Sequence, residues 1–141
     1  GYLTASPLAT LRRRKIARRE RVLTEAEVAR VLRGVSADFR DFLTVLSQTG
    51  CRPFSEAAKL TAAQVRWAEG RAVLSEHKNA GKGKARAVYF SPGLLEELRG
   101  LAERHPTGPL LRNRLGRAWT KSNVGHYLKR VCRELELEPF T

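Results

Sequence analysis

Thr49-Gly50-Cys51-Arg52-Pro53 closes one kind of sequence pattern and opens another. Before it, Phe39, Phe42, Leu43 and Leu46 recur at the three-and-four spacing of an amphipathic helix, and Gly50 supplies the stop. Further upstream, Thr24-Glu25-Ala26-Glu27 reads as a capping box, so a first helix begins near Glu25. Val28, Val31 and Leu32 give that helix its apolar face, Leu23 is placed to staple onto Val28, and Gly34 ends it. Downstream, Glu56 to Leu60 reads as a short third helix and Thr61 to Gln64 as a turn.

The period then becomes alternating. Val65 and Trp67 fall on one predicted strand, Ala72, Val73 and Leu74 on a second across a Glu69-Gly70 turn, and Arg86 to Phe90 on a third. Between the last two strands lies Glu76-His77-Lys78-Asn79-Ala80-Gly81-Lys82-Gly83-Lys84, whose glycines permit tight turning and whose lysines reach outward. Ser91-Pro92 then starts a helix with a buried stripe of Leu94, Leu95, Leu98 and Leu101, broken at His105 to Pro109. Thr120 caps a last helix with Val124, Leu128, Val131 and Leu135 on its apolar face. The expected class is α+β, mainly helical with a small three-stranded antiparallel sheet.

The 141 residues suffice for one core of ordinary size, preceded here by a basic lead-in. Lys and Arg number 27 against 14 Asp and Glu, a formal charge of +13, with a pI near 10.8. Solubility alone asks for a net charge of about 2 to 8 in a small domain. The excess points to nucleic acid as partner. Arg12, Arg13, Arg14, Lys15, Arg18, Arg19 and Arg21 crowd one short segment, which reads either as a solvated linker or as one lying along DNA. A second basic cluster, Arg112, Arg114, Arg117 and Lys121, precedes or opens the last helix, and Lys129, Arg130 and Arg133 ride on its exposed turns.

Cys51 and Cys132 stand far apart with no metal-ligand spacing, so no disulfide framework and no metal site is expected, and a reducing cytoplasm fits. No apolar run approaches the roughly 20 residues that span a bilayer, and no signal segment is seen. His77, His105 and His126 show no metal spacing, and Trp67 and Trp119 read as sheet and loop anchors. There is no methionine, even at position 1, so the expectation is a piece of a longer product.

The chemistry rests on Arg52 and Lys78. An arginine at the mouth of a helix offers a planar fork of donors matched to phosphate oxygens, and a lysine on a nearby hairpin can deliver a proton to the same phosphate. In order and spacing, these residues resemble the catalytic domain of the tyrosine recombinases, the phage-integrase-like DNA strand transferases. Arg18-Arg19-Glu20-Arg21-Val22-Leu23-Thr24 is similar to that family's linker and helix start, and Thr49 to Pro53 to the box holding its first catalytic arginine. His77-Lys78 with Arg86-Ala87-Val88-Tyr89-Phe90-Ser91-Pro92 resembles the hairpin of its catalytic lysine. Gly108 to Asn113 and Gly116 to Thr120 resemble the segment before its second box.

The resemblance implies two parts: residues 1–21 as the end of a core-binding domain with a basic linker, and 22–141 as a partial catalytic domain. It implies a tyrosine attacking the scissile phosphate of duplex DNA to give a 3′-phosphotyrosine, without metal or other cofactor, in protomers assembled on DNA. Arg52 would hold a non-bridging oxygen and Lys78 would be the general acid, with Lys82 its rival. Lys82 and Lys84 would otherwise meet flanking backbone. Two features depart from the family. Its glutamate, usually three residues after the arginine, stands at four as Glu56. Its His-x-x-Arg box and nucleophilic tyrosine have no counterpart up to Thr141, and Tyr2, Tyr89 and Tyr127 stand in other contexts. The chain by itself is therefore expected to bind DNA without cleaving it. The alternatives are a non-catalytic DNA-binding remnant and a small basic RNA-binding structural protein.

Overall fold

A computed structural model describes residues 21–74 and 85–138. Among these residues it holds four α-helices and one three-stranded antiparallel sheet, the α+β class expected from the sequence. Helix α1 (Glu25–Gly34) starts at the expected cap: the Glu27 backbone N–H donates to the Thr24 hydroxyl at 3.2 Å, and the Thr24 N–H donates to Glu27 Oε2 at 2.9 Å. Helix α2 (Ala37–Thr49) ends on Gly50, at φ 62°. That left-handed residue turns the chain directly into Cys51-Arg52.

The expected third helix is a 3₁₀ turn, Ala57–Lys59. Leu60 is already extended, and the next residue, Thr61, forms a bridge with Pro109, so the segment has room for a single tight turn. A second 3₁₀ turn, Ala62–Gln64, leads into strand β1, which is only Val65–Arg66; Trp67, expected in that strand, opens a third 3₁₀ turn through Glu69. Arg66 already pairs with Arg71, so the intervening residues must reverse the chain, which Gly70 completes at φ 61°. Strands β2 (Arg71–Leu74) and β3 (Arg86–Tyr89) pair from Arg71 with Tyr89 to Leu74 with Arg86.

Helix α3 (Pro92–Arg104) has Ser91 as N-cap and buries Leu94, Leu98 and Leu101. Helix α4 (Lys121–Glu134) is capped by Thr120 and buries Val131 and Cys132, while Val124 and Leu128 are half-covered. The core is aromatic where α2 meets α4. The Phe39 ring lies 4.5 Å from Tyr127 and 4.9 Å from Trp119, centroid to centroid, and Trp119 stacks on Phe42 at 5.8 Å. Trp119 is the loop anchor the sequence led us to expect. The Tyr127 hydroxyl accepts the Ser36 N–H and donates to the Ser36 hydroxyl, both at 2.9 Å, fastening α4 to the start of α2. Tyr89, at the end of β3, is 68% exposed.

Candidate functional site

Arg52 leaves the end of α2 in a wound turn whose geometry follows from its own carbonyl. The N–H groups of Glu56 and Ala57 both donate to the Arg52 carbonyl, at 3.1 and 3.0 Å. The turn therefore has the spacing of a helical turn, on which residues four apart share a face. Glu56 is thereby brought under Arg52. Its Oε2 accepts the Arg52 N–H at 2.9 Å, and its Oε1 lies 3.4 Å from Arg52 Nη1. The fourth-position glutamate thus faces the arginine it follows.

Glu56 is the only charged residue buried among the described residues. An uncompensated carboxylate there would be costly. A second guanidinium answers it: Nη2 of Arg86, the first residue of β3, lies 3.6 Å from Glu56 Oε2. Sequence reasoning placed Arg86 in a strand and gave it no further part. The available signal was register, because Arg86 shares a strand face with buried Val88, and a cation on a core-facing row needs a partner. The Cys51 thiol belongs to the same cluster. Burial, first of all, pushes its pKa up; a hydrogen bond with Thr49 lowers it, Glu56 raises it and Arg86 lowers it.

The second basic cluster is linked to this turn through the main chain. The Leu110 N–H donates to the Leu60 carbonyl at 2.7 Å beside the Thr61–Pro109 bridge. Arg112 is turned toward its own loop, donating from Nε to the Pro109 carbonyl at 2.7 Å and from Nη2 to the Thr107 carbonyl. Asn113 Oδ1 accepts the N–H groups of Leu115 and Arg117, at 2.9 and 3.2 Å, shaping a turn that leaves Arg114 and Arg117 exposed. Lys121 is exposed on the first turn of α4. A cation there opposes the helix dipole, so it adds nothing to helix stability.

Lys78, Lys82 and Lys84 fall between the paired ends Leu74 and Arg86, outside the described residues, and so does His77. Arg12, Arg13, Arg14 and Lys15 also lie outside them. Among the described residues, no cluster of His, Cys, Asp or Glu could hold a metal ion. Among these residues too, no helix is long and apolar enough to cross a membrane.

No protein-family model and no curated protein matches the sequence. Solved structures do match in shape. The XerA recombinase superposes with a TM-score of 0.65 at 16% identity, over 89% of this chain and 47% of that one. The Tn1549 transposon integrase, solved in complex with a circular intermediate DNA, gives 0.65 at 13% identity, over 89% of this chain and 49% of that one. The chain thus spans about half the length of each structure it matches, and its fold is that of a tyrosine-recombinase-like domain.

Proposed function

We propose that this chain is the DNA-binding part of a site-specific tyrosine recombinase or integrase, which breaks and rejoins duplex DNA through a 3′-phosphotyrosine intermediate. Residues 1–21 are the end of a core-binding domain with its linker, and 22–141 part of the catalytic domain. The observation that carries this reading is Arg52 fixed at main chain and side chain by the buried carboxylate of Glu56, in a fold shared with a recombinase and a transposon integrase.

Arg52 holds a non-bridging oxygen of the scissile phosphate, stabilising the charge that develops on the phosphoryl group. Lys78, with Lys82 as rival, protonates the leaving 5′ oxygen. Lys84, Arg114, Arg117 and Lys121, with the run Arg12 to Lys15, meet the flanking backbone, and Arg112 supports the loop that presents Arg114 and Arg117. The nucleophilic tyrosine is not among these 141 residues, the chemistry uses neither metal nor other cofactor, protomers assemble on DNA, and the setting is cytoplasmic.

The test is a salt series of duplex binding by the full chain, with a nicked suicide duplex offered in parallel. The expected result is an affinity for duplex that falls steeply with salt and no covalent adduct. A trapped adduct would show a nucleophile within the chain, and a preference for RNA over duplex at matched salt would favour an RNA-binding structural protein.

A further inference from the structure

Glu56 brings together two arginines from separate elements. Arg52 follows the left-handed Gly50 at the end of α2, and Arg86 opens β3, where its backbone is paired with Leu74. Their guanidiniums lie 3.4 and 3.6 Å from the two oxygens of one carboxylate whose side chain is fully buried. One negative charge is shared by two positive ones, which leaves the cluster a net single positive charge.

A guanidinium carries five N–H donors, and each of these two contributes a single nitrogen to its contact with Glu56. The side chains of Arg52 and Arg86 keep 42% and 35% of their exposure, so neither is sealed in the core as Glu56 is. Neutralising Glu56 takes one cation; the second leaves the site short of an anion. The rigid turn on one side and the paired strand on the other hold the two forks at a set spacing, the preorganisation that recognition of a tetrahedral oxyanion rewards.

We propose that Arg86 is a second phosphate-holding residue: with Arg52 it grips the non-bridging oxygens of one DNA backbone phosphodiester, and Glu56 is the positioning residue that sets the spacing of the two forks. This rests on the reading of the chain as part of a DNA strand-transfer protein.

The experiment is duplex binding by fluorescence anisotropy over a salt series, with the full chain and the variants Arg52→Gln, Arg86→Gln, Arg86→Lys and the double glutamine variant. Thermal melts of each serve as the folding control. Arg86→Gln should lower duplex affinity about tenfold, the worth of one charge-assisted hydrogen bond. It should also make the dependence of log K on log salt shallower, by up to about one unit. Arg86→Lys keeps the charge but not the fork, so it should lose affinity while keeping the wild-type slope. Because both arginines hold one phosphate, the losses from Arg52→Gln and Arg86→Gln should be less than additive in the double variant.

Wild-type affinity and slope in a folded Arg86→Gln, or strictly additive losses, would overturn the role of Arg86 while leaving the DNA reading intact. If Arg86→Gln does not fold, Arg86→Lys decides: reduced affinity supports the proposal and unchanged affinity overturns it. A wild-type chain without affinity for duplex overturns the DNA reading, and the role of Arg86 with it.

Discussion

Glu56 Oε2 accepts the backbone N–H of Arg52 at 2.9 Å while the other oxygen of the same carboxylate faces the Arg52 guanidinium at 3.4 Å. One side chain thus fixes both the start and the tip of its neighbour. The arrangement works because the intervening turn is wound, so a spacing of four residues closes on itself.

Removing that carboxylate strands a part-buried N–H and takes from two guanidiniums the anion they share. Glu56→Ala should therefore destabilise the chain by about 3 kcal/mol, the lower end for breaking a buried ion pair, because both cations keep access to water. Glu56→Gln retains an oxygen for the Arg52 N–H and should cost less. Midpoints of urea unfolding at constant slope measure both; a Glu56→Ala midpoint equal to wild type would show that the cluster contributes no stability.

Glycines at two positions should respond with opposite sign. Gly50 sits at φ 62°, with no atom within 4 Å of where a Cβ would stand, so Gly50→Ala meets only backbone strain and should cost about 1 kcal/mol. Gly100 lies inside α3 with equally open space, and Gly100→Ala should stabilise by about 0.5 to 1 kcal/mol through helix propensity and a less flexible unfolded chain. Denaturant midpoints of the two single variants check the pair. Destabilisation by Gly100→Ala would reveal a contact that the geometry does not contain.

The helices were legible in the sequence because their signals are local. Thr24 with Glu27, Ser91 with Pro92, and Thr120 each mark a helix start by satisfying free N–H groups within three residues, and each helix begins there. Trp67 was misplaced because alternation cannot distinguish a strand from a reversal, and the pairing of Arg66 with Arg71 shortens β1. The partnership of Glu56 with Arg86 spans 30 positions and depends on how the sheet packs on the turn after α2. Local pattern carries no trace of such a contact beyond a cation on a core-facing strand row. Lys78 and its rival Lys82 both fall outside the described residues.

Both thiols should be silent in the folded chain. Cys51 is 8% exposed and Cys132 3%, and burial pushes the Cys51 pKa up, which lowers its thiolate fraction at any given pH. A thiol-specific reagent at mildly alkaline pH should label neither residue in native buffer and both in denaturant, read by intact mass. Rapid native labelling at Cys51 would mean that the Thr49–Pro53 segment opens readily, contrary to the packing that holds Arg52.

Asp41 gives the chain a pH dependence whose sign is unlike that of most carboxylates. It lies half-buried on α2, in a cavity of about 170 Å³ bordered by Asp38, Leu101, Arg104, His105, Leu111 and Arg112. Burial is the largest influence and raises its pKa; Arg104 lowers it, Asp38 raises it and Arg40 lowers it, leaving the net direction upward. The folded state therefore holds this proton more tightly than the unfolded chain does. The stability contributed is complete below the unfolded-chain value of about 3.9 and is lost as pH rises through the higher folded value. Asp41→Asn removes the titration while keeping the side chain's shape. The melting temperature of the variant minus that of wild type should thus increase from pH 3.5 upward and level off by neutral pH, with the variant the more stable there. Taking the difference cancels the titration of every other carboxylate, including Glu27, whose pKa is lowered, chiefly by its hydrogen bond with the Thr24 backbone. A difference that stays flat would mean that Asp41 is as well solvated in the fold as out of it. One that falls with pH would mean that attraction to Arg104 outweighs burial at this site.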